Sequence, residues 1–362
     1  VTLYDFDHAL LPFQLIEGVN VLAVELHQAS PVSSDLVIDA ELKGTRSLND
    51  NTGVILEGSG PVLARAVEDG EWSALATADF VVGTPASAEN LVLSEVHYHP
   101  LPGREGEEFI ELMNISAVPI DLLGVSFTEG VDFTFRQSIV LAPGGRILVV
   151  KESGGFPGSL LPRIAGEFEN ATSLSNGGER IALADFSGAI IFDFTYRDDF
   201  PWPVSPDGDG PSLTRIAPVS GTDPSVSSSW RPSVADGGSP GVGDALTFTG
   251  QTGADSDHDG LNALLEHAMG TSDTVADRME DLLSVSLGEG NFLEISLQRN
   301  LAAEDMQFTI QASVDLVVWD ELNTELQLTR SDYRGGGVAL ESYRVVSPGA
   351  RRFVRVVFAR RQ

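Results

Sequence analysis

The chain has 362 residues, with 22 Lys and Arg against 53 Asp and Glu, a formal net charge of −31. A surface this negative repels phosphate backbones and anionic lipid, and no apolar run approaches the ~18 residues a membrane-spanning helix needs, so neither nucleic acid nor membrane insertion is expected. No cysteine is present, which excludes disulfides, thiolate zinc sites and a cysteine nucleophile. The length suits several domains. With no initiator methionine and no basic-then-apolar leader, the chain is expected to be an internal or C-terminal portion of a longer, soluble protein.

Short apolar runs between Gly, Pro, Asp and Asn dominate from Val1 to about Leu246, the punctuation of a β-sandwich with strands of four to eight residues. "RIALADFSGAIIFDFTY" predicts a hairpin: a strand over 180–184, a turn at Asp185 to Gly188, and a second strand over 189–196. Pro201 to Asp244 has the Pro, Gly and Ser content of a linker, yet carries Trp202, Leu213, Ile216 and Trp230. It is expected as irregular coil packed over a domain, with the true linker at 243–254. A helix is predicted over 260–269, where Leu261, Leu264, Leu265, Ala268 and Met269 share a face and Gly270 supplies a stop; a weaker one covers 274–283. Strand patterns return in "NFLEISLQRN", "MQFTIQASVDL", "VVWDEL" and the arginine-flanked "RRFVRVVF". In that last run Arg351, Arg352, Arg355, Arg360 and Arg361 read as the charged edge of a strand rather than a nucleic-acid patch.

Several blocks carry family resemblances. "LVLSEVHYHP", "GEEFIELMNISAVPIDLLGVSFTEG", "LAPGGRILVV", "SLSNGGERIALADFSGAIIFDFTY", "WPVSPDGDGPSLTRI", "SSSWRPS" and "GGSPGVGD" follow in the order seen in the bacterial lamin-tail domain. The resemblance implies an immunoglobulin-like β-sandwich over residues 89–246. In the second block Ile110 and Leu112 point one way and Glu111 the other, as expected for a sheet with one buried and one wet face. "LIEGVNVLAVELHQASPVSSDLVIDAELKG" resembles the closing strands of a jelly-roll, galactose-binding-like domain at 1–44. "PVLARAVEDGEWSALATADF" resembles the end of a fibronectin-like module beside chitobiase-type domains, at 45–88. The stretch from 247 to 284 would be a linker with a loop and helix, followed by a β domain at 285–362. That tail is similar to those on modular secreted proteins of planctomycetes and verrucomicrobia. The fold class expected is therefore mainly β, with one short helix.

"DSDHDGLNALLE" carries the sharpest chemistry. With Asp255 at position 1, Asp257 is 3, Asp259 is 5, Gly260 is 6, Leu261 offers its carbonyl at 7 and Glu266 is 12, the oxygen-ligand register of an EF-hand calcium loop. Ala263 at position 9 must leave coordination to water, and Asn262 stands where paired loops place an apolar residue. A lone, dockerin-like or thrombospondin-repeat-like structural calcium site is expected, beside the alternative of a solvated acidic linker.

Other candidates keep two readings. His97 and His99 share a strand face at zinc-compatible spacing but can equally be strand decoration. Asp207 and Asp209 could bind a second calcium or simply shape a turn. Trp202, Trp230 and Trp319 could form sugar-stacking platforms or anchor core and loops. No nucleophile elbow, phosphate-cradling loop or zinc-protease helix occurs. The expected function is a noncatalytic extracellular or cell-surface protein that takes a cell-surface or carbohydrate ligand. The alternative is a carbohydrate-binding accessory region of a larger secreted enzyme.

Overall fold

A computed structural model describes residues 56–68, 70–219, 221–288, 292–346 and 353–361. The expected jelly-roll end at 1–44, positions 45–55 of the fibronectin-like stretch, and Arg351 and Arg352 lie outside the described residues. From Leu56 onward the chain clusters as one compact unit.

Strand β1 (Leu91–His97) pairs antiparallel with β2 (Phe109–Asn114). After β3 (Ser126–Glu129) come β4 (Arg146–Val150), β5 (Ile164–Glu167), β6 (Arg180–Ala184) and β7 (Ile190–Thr195). Two short strands follow, β8 (Leu213–Arg215) and β9 (Trp230–Pro232). The larger sheet runs β5-β4-β2-β1-β8-β9 and the smaller runs β7-β6-β3. Between them lies one apolar layer that includes Leu93, Val96, Ile110, Leu112, Val149, Ile181, Leu183, Phe194 and Leu213. Each such side chain fully withdrawn from water contributes about 1.5–3 kcal/mol, so alternation at period two selects which face of each strand turns inward. The mainly β, immunoglobulin-like sandwich expected from the sequence is what forms, and the 180–196 hairpin closes through Gly188 N–H donating to the Asp185 carbonyl.

Two expectations need correction. The Pro201 to Asp244 stretch is not all irregular coil, because β8 and β9 extend the larger sheet and Trp230 packs on Phe194 at 5.5 Å. Nor is the Glu111 face wet. Glu111 and its register partner Glu95 are fully buried, because the 238–241 turn lies over that face. Ser239 N–H donates to Glu95 and Gly241 N–H to Glu111, while Ser212, Ser94 and Arg146 hydroxyl or guanidinium groups complete the two carboxylates. A coil rich in Gly and Pro has few intramolecular partners of its own, so buried acceptors on the sheet hold its amides instead. Gly238 sits at φ +80° directly against the Glu95 carboxylate, where any Cβ would collide.

Beyond the sandwich, α1 (Ala263–Met269) is followed by α2 (Met279–Leu282), a single turn where 274–283 was predicted. Helix α1 starts three residues later than predicted because Asn262 caps it, its side chain accepting from Leu265 N–H. At its other end Gly270 adopts φ +73°, the left-handed stop that the sequence indicates. The C-terminal region then pairs β10 (Leu283–Leu287), β11 (Leu293–Asn300), β14 (Val338–Val345) and β13 (Leu326–Gly335) in the order β10-β11-β14-β13. A second sheet joins β12 (Met306–Ser313) to β15 (Phe353–Arg360), and Ile295, Ile310, Leu322 and Val345 form the shared core.

The two β regions meet through charge as well as backbone. Arg231 on β9, only 1% exposed, binds Asp244 at 2.5 Å and Glu304 at 2.8 Å, while Glu304 also accepts from Ala217 N–H. Leu246 N–H donates to the Ala302 carbonyl and Tyr333 Oη–H to the Ser233 carbonyl. The expected 243–254 linker is thus tied to the C-terminal region at Leu246 and again at Phe248, whose N–H reaches Asp305.

Candidate cation site

The 255–266 loop is built by short-range hydrogen bonds. Asp257 accepts from Asp259 N–H at 3.2 Å, Asp255 from Gly260 N–H at 3.3 Å, and Asp259 from Leu261 N–H at 2.7 Å. His258 and Gly260 take φ of +63° and +95°, which curls the three aspartates inward. The side chain of Leu261 is buried with Met269, Leu282 and Leu297, so it anchors the loop to the helix and β11. Glu266 rides on α1 and is 1% exposed.

Two trios of carboxylate oxygens, each within 4.8 Å of one another, share Asp259: Asp255 with Asp257 and Asp259, and Asp259 with Glu266 and Asp277. All four expected side-chain ligands fall in one trio or the other, with Asp259 in both and Glu266 apart from Asp255 and Asp257. Asp277 was missed by sequence reasoning, as it lies outside the 12-residue register. Its N–H donates to Asp259 at 2.6 Å, and that contact brings the segment after α1 onto the loop. Asp273 likewise accepts from Ser256 N–H and Oγ–H at 2.9 and 2.6 Å.

Among the described residues these acids form no ion pair. Both Oε atoms of Glu266, Oδ1 of Asp255 and Oδ2 of Asp257 are buried with no hydrogen-bond donor. Burial, together with the charges of Asp257, Asp273 and Asp259, pushes the Glu266 carboxyl up to about 7. An unpaired buried carboxylate is expensive in a folded chain, and a cation among these oxygens would remove that cost. Their chemistry, carboxylate oxygens with no sulfur or imidazole in either trio, fits a hard cation such as calcium.

The other candidates resolve differently. His97 is buried against Phe109 with its ring centroid 5.7 Å away, and burial pulls it down to about 4. His99 instead pairs with Asp207 at 2.5 Å, so the two histidines are not joined in any metal-binding group among the described residues. Asp207 N–H donates to the Val204 carbonyl and Asp209 N–H to that of Ser205, the hydrogen bonds of a turn. Trp202 and Trp230 are buried within the sandwich, 6.1 Å apart, and offer no face to a sugar. Trp319 is covered by Arg355, 4.1 Å over its ring.

Among the described residues no helix is long and apolar enough to cross a membrane. A comparison with curated proteins found no match. Residues 84–198 match the family model for the Lamin Tail Domain, a span that begins before β1 and ends after β7. On that match and the sandwich it covers, this chain contains a lamin tail domain.

Proposed function

We propose that the chain is a noncatalytic part of an extracellular or cell-surface modular protein, in which the lamin-tail sandwich serves attachment and a bound calcium ion stiffens the junction to the C-terminal β region. Asp255, Asp257, Asp259, Glu266 and the Leu261 carbonyl would hold the ion. The observation that carries the reading is Glu266: a buried helix carboxylate, without a donor, aimed at further acids. Affinity on the order of 10⁻⁴ to 10⁻³ M, as in extracellular modules, would leave the site filled outside cells and mostly empty within them. A cation at this loop would act at the junction, since Leu261 packs against β11 while Asp255 follows the strand-free 245–254 segment.

The test is a calorimetric calcium titration with a parallel thermal melt, on the wild type and on Asp257→Ala/Glu266→Ala. Saturable binding is expected, with stabilisation of about 2.7 kcal/mol at a hundredfold excess over Kd. The double variant should lose both. Identical titrations and melts for the two proteins would return the loop to a solvated acidic linker.

A further inference from the structure

We infer that Asp277, which stands outside the EF-hand register, is a direct ligand of the same cation, so that the ion joins the loop to the segment between α1 and α2. This rests on the calcium reading above and deepens it. The 12-residue register has a gap at Ala263, which has no side-chain oxygen to give. Asp277 presents a carboxylate oxygen within 4.8 Å of those of both Asp259 and Glu266, from the opposite end of the helix. The second observation is Glu266 itself, buried and donor-free between Asp259 and Asp277.

The approach of Asp277 is fixed rather than incidental. Its own N–H donates to Asp259 Oδ2 at 2.6 Å, which holds Asp277 against the loop. Upstream, Asp273 is held by two hydrogen bonds from Ser256, so the segment is tied to the loop at both 256 and 259. Helix α1 lies between these contacts and packs on β11, with Gln298 and Asn300 donating to the Met269 and His267 carbonyls. A cation shared by Asp259, Glu266 and Asp277 would therefore clasp α1 at both ends, whereas a register-only site would hold its N-terminal side alone. Calcium accepts six to eight oxygens in flexible geometry, which leaves room for a ligand from outside the loop.

Terbium, which takes oxygen ligands in place of calcium, is the probe. Its luminescence lifetimes in H₂O and D₂O count the waters on the bound ion, and calcium competition gives the affinity. Wild type, Asp257→Ala, Asp277→Ala and Asp277→Asn are compared. Asp277→Ala is expected to weaken calcium at least about tenfold and to add about one water to bound terbium. Asp277→Asn, which keeps an oxygen, should weaken calcium with a smaller gain of water. If Asp257→Ala abolishes binding while Asp277→Ala leaves the water count as in wild type, the loop site stands and the role for Asp277 is overturned, whatever happens to affinity. If no variant alters binding, the calcium reading itself fails.

Discussion

Glu95 and Glu111 are register partners on adjacent antiparallel strands, and both carboxylates are buried under the 238–241 turn. Burial first, and the charge of Glu111 second, push the Glu95 carboxyl up to about 8, and burial raises Glu111 as well. The folded chain therefore keeps a proton that the unfolded chain releases near the ordinary value of 4.5. Stability from this proton is fully present below pH 4.5 and is lost as pH rises toward 8, at up to about 1.4 kcal/mol per unit. Urea unfolding followed by the buried Trp202 and Trp230 should show a falling midpoint over that window, and Glu95→Gln should flatten the slope. A wild-type midpoint that does not move would show that the pair holds no extra proton.

Glu266→Gln should invert its effect with calcium. Without the ion, removing a buried charge that faces Asp257, Asp259 and Asp273 relieves repulsion and raises the melting temperature, by roughly 1–3 kcal/mol of stability. With calcium in excess, the variant lacks the carboxylate that closes the site and should melt below the wild type. Melts in chelator and in calcium are sufficient, and a shift of one sign in both would refute the assignment.

Arg231→Ala removes the shared cation of Asp244 and Glu304, leaving both carboxylates with a main-chain donor each but no counter-charge in a nearly dry interface. Breaking a buried ion pair from one side costs about 3–5 kcal/mol. We expect the calorimetric transition of the wild type to split in two, the sandwich and the C-terminal region melting separately. A single transition at the wild-type temperature would mean that backbone contacts such as Leu246 to Ala302 suffice to couple them.

A fragment ending at 198, where the family match stops, should not fold, whereas one ending at 244 should. The shorter piece lacks β8 and β9, exposes the open edge of β1, and leaves Glu95 and Glu111 without the Ser212, Ser239 and Gly241 donors. Circular dichroism and proton NMR dispersion of the two fragments decide the matter.

Much of this was legible from pattern. The 180–196 hairpin and the stop at Gly270 follow from local chemistry, because alternation and turn residues act over a few positions. The Asp255, Asp257, Asp259 and Glu266 spacing follows the register of a calcium loop, and in the fold Asp255 and Asp257 gather with Asp259 while Glu266 gathers with Asp259 and Asp277. What the sequence hid depends on distance along the chain. The β13–β14 hairpin went unseen because "LQLTRSDYRGGGVALESYRV" mixes charge into both strands and its three glycines resemble a loop. Glu111 read as a wet-face residue because nothing local reveals that a coil 130 residues later will cover it. Asp277 escaped because its place in the cluster comes from a main-chain bond to Asp259, which no side-chain pattern records.

The sheet order has a temporal side. In the larger sheet β1 lies between β2, its near neighbour, and β8, which is contributed only at Leu213. As the chain leaves the ribosome from its N-terminal end, β1 must wait with one row of amides and carbonyls unclaimed until the far end of the domain has emerged. Until Leu213 to Arg215 take that edge, β1 is a template for the same segment of a neighbouring chain.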